Sequence, residues 1–123
     1  MTIASIAIGG AVGSVLRYLI QMQCVAWFGA KFPYGTLLVN TLGSLLIGFL
    51  SIVLIERYVV STELRFAILV GLIGGFTTFS TFSLETLTLI QQGSLLSAAS
   101  NIIFNFTLSI IACFLGITLA RVI

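Results

Sequence analysis

Long apolar segments alternate with short polar stretches along the whole chain. Four apolar segments run over about 3–28, 36–55, 66–92 and 96–120. Each reaches the roughly 20 residues that an α-helix needs to cross a hydrocarbon core about 30 Å thick. The pattern therefore predicts an all-α membrane protein of four transmembrane helices. The short turns leave no length for a second domain, so 1–123 is expected to form one unit.

The charged residues between the segments give a weak prediction of orientation. Four spans put both termini on one side of the membrane, together with Arg57, Arg65 and Arg121. Lys31 lies on the other side, in the turn after the first segment. The positive-inside rule then places the termini in the cytoplasm, but so few charges specify orientation poorly.

Composition supports the membrane assignment and excludes several other classes. The chain is 59% hydrophobic and 7% charged, whereas soluble domains carry about a quarter charged residues. It has no histidine, and Cys24 and Cys113 stand alone, which excludes the common zinc spacings and a disulfide framework. The formal charge of +2 is too small and too scattered for a nucleic-acid partner. The first apolar run exceeds signal-peptide length and lacks a basic start, so it is expected to remain as a transmembrane helix.

The third segment contains an unusually polar run, Gly74–Ser83, near its centre. Two adjacent glycines are followed by five hydroxyl residues, which compete for backbone hydrogen bonds. We therefore expect the third helix to be broken, with unwinding at Gly74-Gly75. Interrupted backbone at membrane depth is tolerated only inside protein or beside a polar cavity, and paired half-helices can form an ion site. Phe79 and Phe82 are three residues apart and share a face of the second half-helix.

Small residues on the first helix indicate close packing. Gly9 and Gly13 form a ridge that lets another helix approach, and packing is favoured there over a ligand role. Arg17 lies one turn further along, on the order of 20 Å from Ile3 by helical rise. An intramembrane arginine is either functional or extends its side chain to the interface, and the sequence leaves both open.

Polar residues also line the second and fourth helices. The stripes contain Asn40, Ser44, Gly48 and Ser51 on the second helix, and Asn101, Asn105, Ser109 and Cys113 on the fourth. One such stripe could join helices by hydrogen bonds, but stripes on three helices favour a hydrated or ion-conducting track.

The chemistry of this track favours anions. Its side chains are amide and hydroxyl donors, and the only acid within a helix is Glu85. Glu85 could carry a proton, line a vestibule or bond a neighbouring helix. Aromatic rings have a partly positive edge, so Phe79 and Phe82 could support an anion that has shed water.

At these residues the chain resembles the Fluc (CrcB-type) fluoride channels. The matching runs are Gly74–Glu85, the Gly-Thr-Leu-Leu-Val-Asn run from 35 to 40, and Gly-Ser-Val-Leu-Arg from 13 to 17. The resemblance covers the whole chain and implies passive export of cytoplasmic fluoride through the inner (plasma) membrane, without catalysis. It also implies an antiparallel, dual-topology homodimer with two pores and a structural sodium ion at the dimer interface.

The resemblance also implies roles for individual residues. Phe79 and Phe82 match the paired pore phenylalanines, and Asn40 matches an asparagine that donates to the anion. The remaining implied assignments are Ser80, Thr81 and Ser109 in the pore, Arg17 in the vestibule, and the carbonyls of Gly74 and Thr77 on sodium. Glu85, which lies at the end of the matching run, is expected in the vestibule as well, although the residues alone leave its role open. Cys113 and Asn105 depart from or vary within the family pattern, so their roles stay open.

Two other classes compete with the channel. One is a small proton-coupled drug exporter of four helices that would use Glu85, although such exporters carry their glutamate in the first helix. The other is a structural membrane protein without a pore, for which a broken polar helix would have no purpose.

Overall fold

The computed structural model describes residues 1–123, and all of its secondary structure is helical. Four segments are long and apolar enough to cross a membrane: Thr2–Phe28, Tyr34–Arg57, Thr62–Gln91 and Leu95–Val122. We call them the first to fourth segments. The prediction of four spans is confirmed, and the largest boundary shift is at the third, which begins at Thr62 instead of about 66.

Local signals explain where the segments begin and end. The third begins early because the Ser61 hydroxyl accepts a hydrogen bond from the Leu64 amide at 3.2 Å, which caps its first turn. Gly29 and Gly93 follow the first and third segments at φ values of 80° and 79°. Glycine adopts positive φ values without a steric penalty, so the chain can change direction at both positions.

The third segment loses helical geometry near its middle. One helical stretch ends at Phe76, and the next runs over Phe79–Gln91. Between them Thr77 (φ −85°, ψ 159°) and Thr78 (φ −154°, ψ 116°) are extended. The Thr78 side chain then caps the second stretch by accepting from the Thr81 amide at 3.2 Å.

The expected unwinding at Gly74-Gly75 is wrong. Both glycines lie within the helical turn Ile73–Phe76, and neither has a positive φ. Gly75 is needed for packing, because a Cβ there would lie 2.7 Å from the Gly10 carbonyl oxygen. The interruption falls at the threonines because side-chain oxygens bind the free backbone amides of Thr78 and Thr81.

Glycines bring the first and third segments into backbone contact. A Cβ on Gly9 would overlap the carbonyl of Ala67, and one on Gly13 would overlap the carbonyl of Leu72. The packing role predicted for Gly9 and Gly13 is confirmed.

The second and fourth segments interlock in the same way. A Cβ on Gly48 would overlap the Cys113 carbonyl, and one on Gly116 would overlap the Leu45 carbonyl. Without a hydrophobic drive between helices in lipid, such close backbone packing holds transmembrane helices together. We call the contact at Gly9 and Gly13 the first seam and the contact at Gly48 and Gly116 the second seam. Together the two seams hold the helices that carry the polar stripes in place.

A matched pair of substitutions tests the first seam. Gly13→Ala is expected to lower the free energy of unfolding by about 1–3 kcal/mol, because the new methyl overlaps backbone that cannot rotate away. Gly10→Ala is the control, since its Cβ would meet nothing closer than the Gly71 carbonyl oxygen at 3.8 Å. Thermal unfolding in detergent, followed by circular dichroism, measures both. Equal stability of the two variants would contradict the seam.

Candidate functional site

A cavity of about 310 Å³ lies beside the interruption, between the second, third and fourth segments. We call it the aromatic cavity. Its polar and aromatic lining consists of Asn40, Ser44, Thr77, Thr78, Phe79, Phe82, Asn105, Phe106 and Ser109. The cavity therefore brings together residues from all three polar stripes.

Three phenylalanine rings cluster at this cavity. The centroids of Phe79 and Phe82 are 5.3 Å apart, and those of Phe82 and Phe106 are 5.8 Å apart in an edge-to-face arrangement. Phe79 also meets Phe106 edge-to-face at 6.3 Å. Phe82 is buried at 6% exposure, whereas Phe79 is 67% exposed. The two predicted phenylalanines thus share one cluster but differ in environment.

Asn40 binds the interrupted backbone directly. Its Oδ1 accepts from the Thr78 amide at 2.8 Å, and its Nδ2 donates to the Thr78 carbonyl at 3.1 Å. In a continuous helix the Thr78 amide would donate to the Gly74 carbonyl. Asn40 therefore holds the chain in its interrupted conformation. Because the Thr78 amide donates to Asn40, it no longer donates to the Gly74 carbonyl.

The asparagines of the fourth segment extend this arrangement. Asn40 Nδ2 donates to Asn105 Oδ1 at 3.0 Å, and Asn105 Nδ2 donates to Asn101 Oδ1 at 2.8 Å. Asn101 Nδ2 donates to Thr86 Oγ1 at 3.0 Å, and the Thr86 hydroxyl donates to the Phe82 carbonyl at 2.8 Å. Asn101 and Asn105 are both buried. The network fixes the second half-helix against the fourth segment.

The predicted hydroxyl residues fall in different places. Ser109 lines the aromatic cavity, and its Oγ is buried without a hydrogen-bond partner. Thr81 Oγ1 accepts from the Thr78 hydroxyl at 2.9 Å and lies at a second cavity. Ser80 is exposed and lines neither cavity within the single chain.

Glu85 belongs to the second cavity, of about 770 Å³, which we call the glutamate cavity. The Thr36 hydroxyl donates to Glu85 Oε1 at 2.8 Å, and Gln21 Nε2 donates to Thr36 Oγ1 at 3.1 Å. Glu85 Oε2 is buried without a partner. Lys31 also lines this cavity, which therefore holds the acid and one basic residue.

Arg17 and Gly74 lie apart from these side chains. Arg17 is half-buried, makes no ion pair, and lines neither cavity in the single chain. Gly74 is exposed and lines the aromatic cavity together with Thr77. A Cβ on Gly74 would meet no atom within 4 Å, so the space around it is open.

Comparison with known proteins identifies the family of this chain. Residues 4–117 match the family described as CrcB-like protein, Camphor Resistance (CrcB). The chain belongs to the CrcB family. Proteins named fluoride-specific ion channel FluC occur among its relatives, and the family is one of ion channels and not of enzymes.

Three relatives of the CrcB family illustrate the extent of the similarity. The Magnetococcus marinus protein is 46% identical over 123 residues, covering 100% of both chains. The Roseiflexus protein is 45% identical over 123 residues, covering 100% of this chain and 99% of its own. The Methylococcus capsulatus protein is 46% identical over 121 residues, covering 98% of this chain. This chain spans 53% of the Methylococcus protein's length.

Several residues of this CrcB-family site were not predicted as site residues. Thr36 precedes Asn40 by one helical turn, so shared helix-face position could have indicated it. Asn101 and Thr86 connect the polar stripe to Phe82, and the four-residue spacing of Asn101 and Asn105 was the available signal. Nothing in the sequence distinguished Phe106 from the seven other phenylalanines outside the Phe79 and Phe82 pair.

Proposed function

We propose that this chain forms a fluoride-selective passive channel of the inner (plasma) membrane, which it spans four times, and that it exports cytoplasmic fluoride. Relatives that are 45–46% identical along the chain carry the name fluoride-specific ion channel. Fluoride moves down its own gradient in this proposal, and no covalent step takes place.

The observation that carries the proposal is the composition of the aromatic cavity. Besides three isoleucines and two glycines, it is lined by amide and hydroxyl side chains and by phenylalanine rings, with no ionised side chain among its residues. Hydroxyl groups and ring edges can replace part of an anion's hydration. A lining without fixed positive charge also lets the anion leave, which conduction requires.

Fluoride efflux from proteoliposomes tests the function. With potassium as the counter-ion and valinomycin present, fluoride should leave without any proton gradient, and a fluoride electrode records it. Vesicles loaded with chloride provide the selectivity control. Efflux that depends on a proton gradient would favour an exporter using Glu85, and no efflux would favour a protein without a pore.

We further propose that two copies assemble antiparallel, with two pores per dimer. Phe79 is 67% exposed and Ser80 is exposed beside an interrupted backbone in the third span. Polar backbone at membrane depth must be covered by protein or face a polar cavity. A second copy related by a two-fold axis in the membrane plane would cover this surface, and the weak charge bias would allow both orientations to insert.

Labelling of the termini tests the antiparallel arrangement. Single cysteines introduced at the N-terminus, in a background without Cys24 and Cys113, should react with an impermeant thiol reagent from both sides of the membrane. Cross-linked dimers should contain one terminus on each face. Dimers whose termini all lie on one face would contradict the arrangement.

We propose a sodium site on the two-fold axis, held by the carbonyls of Gly74 and Thr77. The Gly74 carbonyl loses its usual helical donor because the Thr78 amide binds Asn40. Open space beside Gly74 leaves room for a ligand or a second chain. Two carbonyls from each copy would give four neutral oxygens, and backbone carbonyls can replace the hydration shell of a monovalent cation.

The sodium site predicts a dependence of assembly on the cation. Replacing sodium with a large organic cation, such as N-methyl-D-glucamine, should lower the melting temperature of the assembled protein, because the four carbonyls lose their ligand. Titration with sodium at constant ionic strength should restore it. A melting temperature that depends only on ionic strength would exclude the site.

A further inference from the structure

All three asparagines of the chain take part in one directed series of hydrogen bonds. The series starts at the Thr78 amide, which can only donate, and ends at the Phe82 carbonyl, which can only accept. Each asparagine side chain between these ends must therefore accept a hydrogen bond through its oxygen from the preceding member and donate one through its nitrogen to the next. The Thr78 amide therefore lies against the Asn40 oxygen, and the Thr78 carbonyl lies against the Asn40 nitrogen.

The contact with Thr78 is sufficient to orient the Asn40 side chain. The Thr78 amide and carbonyl each make one hydrogen bond to the Asn40 side chain, at 2.8 and 3.1 Å. This two-point contact uses the Asn40 oxygen and one of its two amide hydrogens. One hydrogen remains, and Asn105 Oδ1 accepts it at 3.0 Å.

The anion donor expected at Asn40 is therefore already engaged. Asn40, Asn105 and Ser109 line the same aromatic cavity. An anion that binds the Asn40 side chain there must replace Asn105 Oδ1 as the acceptor of the Asn40 amide hydrogen, or break the contact with Thr78. The bond to Asn105 is the one whose loss leaves Asn40 in place.

We propose that Asn105 is an exchange residue of the anion site, whose side-chain oxygen occupies the place of the anion on Asn40 and is displaced when the anion binds. The proposal rests on the proposed function and adds a residue to its site. The buried Ser109 hydroxyl, which has no partner, is a donor that can bind Asn105 Oδ1 after displacement. When the anion leaves, Asn105 returns to Asn40, which favours release.

Because the anion competes with an internal acceptor, its apparent affinity depends on how strongly that acceptor binds. Asn105→Ala removes the competitor and keeps Asn40 on Thr78, so the half-saturating fluoride concentration should fall about fivefold. Asn105→Asp keeps an acceptor, strengthens it by charge and repels anions, so this concentration should rise about tenfold. Both changes leave Asn101 Oδ1 without its donor, so both should lower the melting temperature.

Side-chain amide NMR measures this binding directly. Labelling with ¹⁵N-asparagine gives only three side-chain NH₂ groups, and single substitutions assign them. Titration of the assembled protein in detergent with potassium fluoride against potassium gluconate should shift the Asn40 and Asn105 signals together. Thr118→Val is the matched control on the fourth segment, because Thr118 is exposed and bonds only the Phe114 carbonyl of its own helix. It should reproduce the wild-type titration.

Opposite changes in affinity, with stability lowered in both variants, would support the exchange. The exchange would be overturned if the affinity changed in the same direction in both Asn105 variants. It would also be overturned if fluoride shifted the Asn40 amide signal of the wild-type protein without shifting that of Asn105. The wild-type titration decides the question if either variant fails to fold. Absence of fluoride efflux from wild-type vesicles would contradict the proposed function, whereas efflux with an unresponsive Asn105 would contradict only the exchange.

Discussion

Replacing Phe79 or Phe82 with isoleucine is expected to reduce fluoride flux about tenfold or more while the protein stays folded. Isoleucine keeps a large apolar side chain but lacks the ring quadrupole. If ring edges support a partly dehydrated anion, losing about 1.4 kcal/mol of that support in the rate-limiting barrier lowers the rate about tenfold. Fluoride holds water tightly, so its passage should be sensitive to this loss.

The different burial of the two rings makes the experiment sharper. Phe82 is 6% exposed and contacts Phe79 and Phe106, so Phe82→Ile also costs about 1 kcal/mol or more in packing. Phe79 is 67% exposed within the chain, so Phe79→Ile should cost the single chain less. Equal losses of flux with unequal losses of stability would separate the pore role from packing. Methionine at either position is an intermediate case, since its polarisable sulfur can replace part of the ring's effect.

Phe76 provides the matched control. It is equally buried, at 6% exposure, but does not line the aromatic cavity. Phe76→Leu should therefore lower stability without a comparable loss of flux. The measurements are fluoride-electrode efflux from liposomes and size-exclusion chromatography of each variant. A Phe82→Ile protein that remains assembled and transports fluoride at the wild-type rate would refute the aromatic pore.

The four spans could be predicted because lipid imposes a strong and local constraint. Each span must be about 20 apolar residues long and satisfy its own backbone hydrogen bonds, so length and composition are sufficient. The close packing at Gly9 and Gly13 could also be predicted, because a larger side chain at either position would prevent the backbones from approaching so closely. These features depend on single residues or on short spacings along one helix.

The position of the helix interruption could not be read from local preferences. Gly74-Gly75 is the weaker helix former, yet it stays helical, while Thr77 and Thr78 become extended. The deciding contact comes from Asn40, 38 residues away along the chain. Long-range hydrogen bonds of this kind override propensity and leave no local pattern in the sequence.

The predicted site residues also differ in whether the single chain brings them to a cavity. Asn40, Phe79, Phe82 and Ser109 do line one cavity, and all belonged to the predicted stripes or motif. Arg17 and Ser80 do not reach either cavity within one chain. The polar stripes predicted which helix faces meet, whereas the partner of each amide depends on the relative height of the helices, which the sequence does not specify.

Replacing Asn40 with leucine is expected to lower both stability and flux, with flux falling by far the larger factor. Leucine has a similar size but removes the two bonds to Thr78 and the one to Asn105. The buried Thr78 amide would lose its acceptor, at a cost of about 1–3 kcal/mol. The second half-helix would lose the contact that orients it, and the anion would lose its amide donor, so flux should fall at least about a hundredfold.

Asn101→Leu separates these two effects. Asn101 is fully buried and belongs to the same hydrogen-bond series, but it does not line the aromatic cavity. Its loss would leave Asn105 bonded to the backbone carbonyl of residue 101 at 2.9 Å, so the bond between Asn105 and Asn40 can persist. Stability should fall as much as in Asn40→Leu, whereas flux should fall several-fold less. Thermal unfolding and electrode-recorded efflux, measured on the same preparations, compare the two variants. If flux followed stability equally in both, Asn40 would be a packing residue of the network and not a donor to the anion.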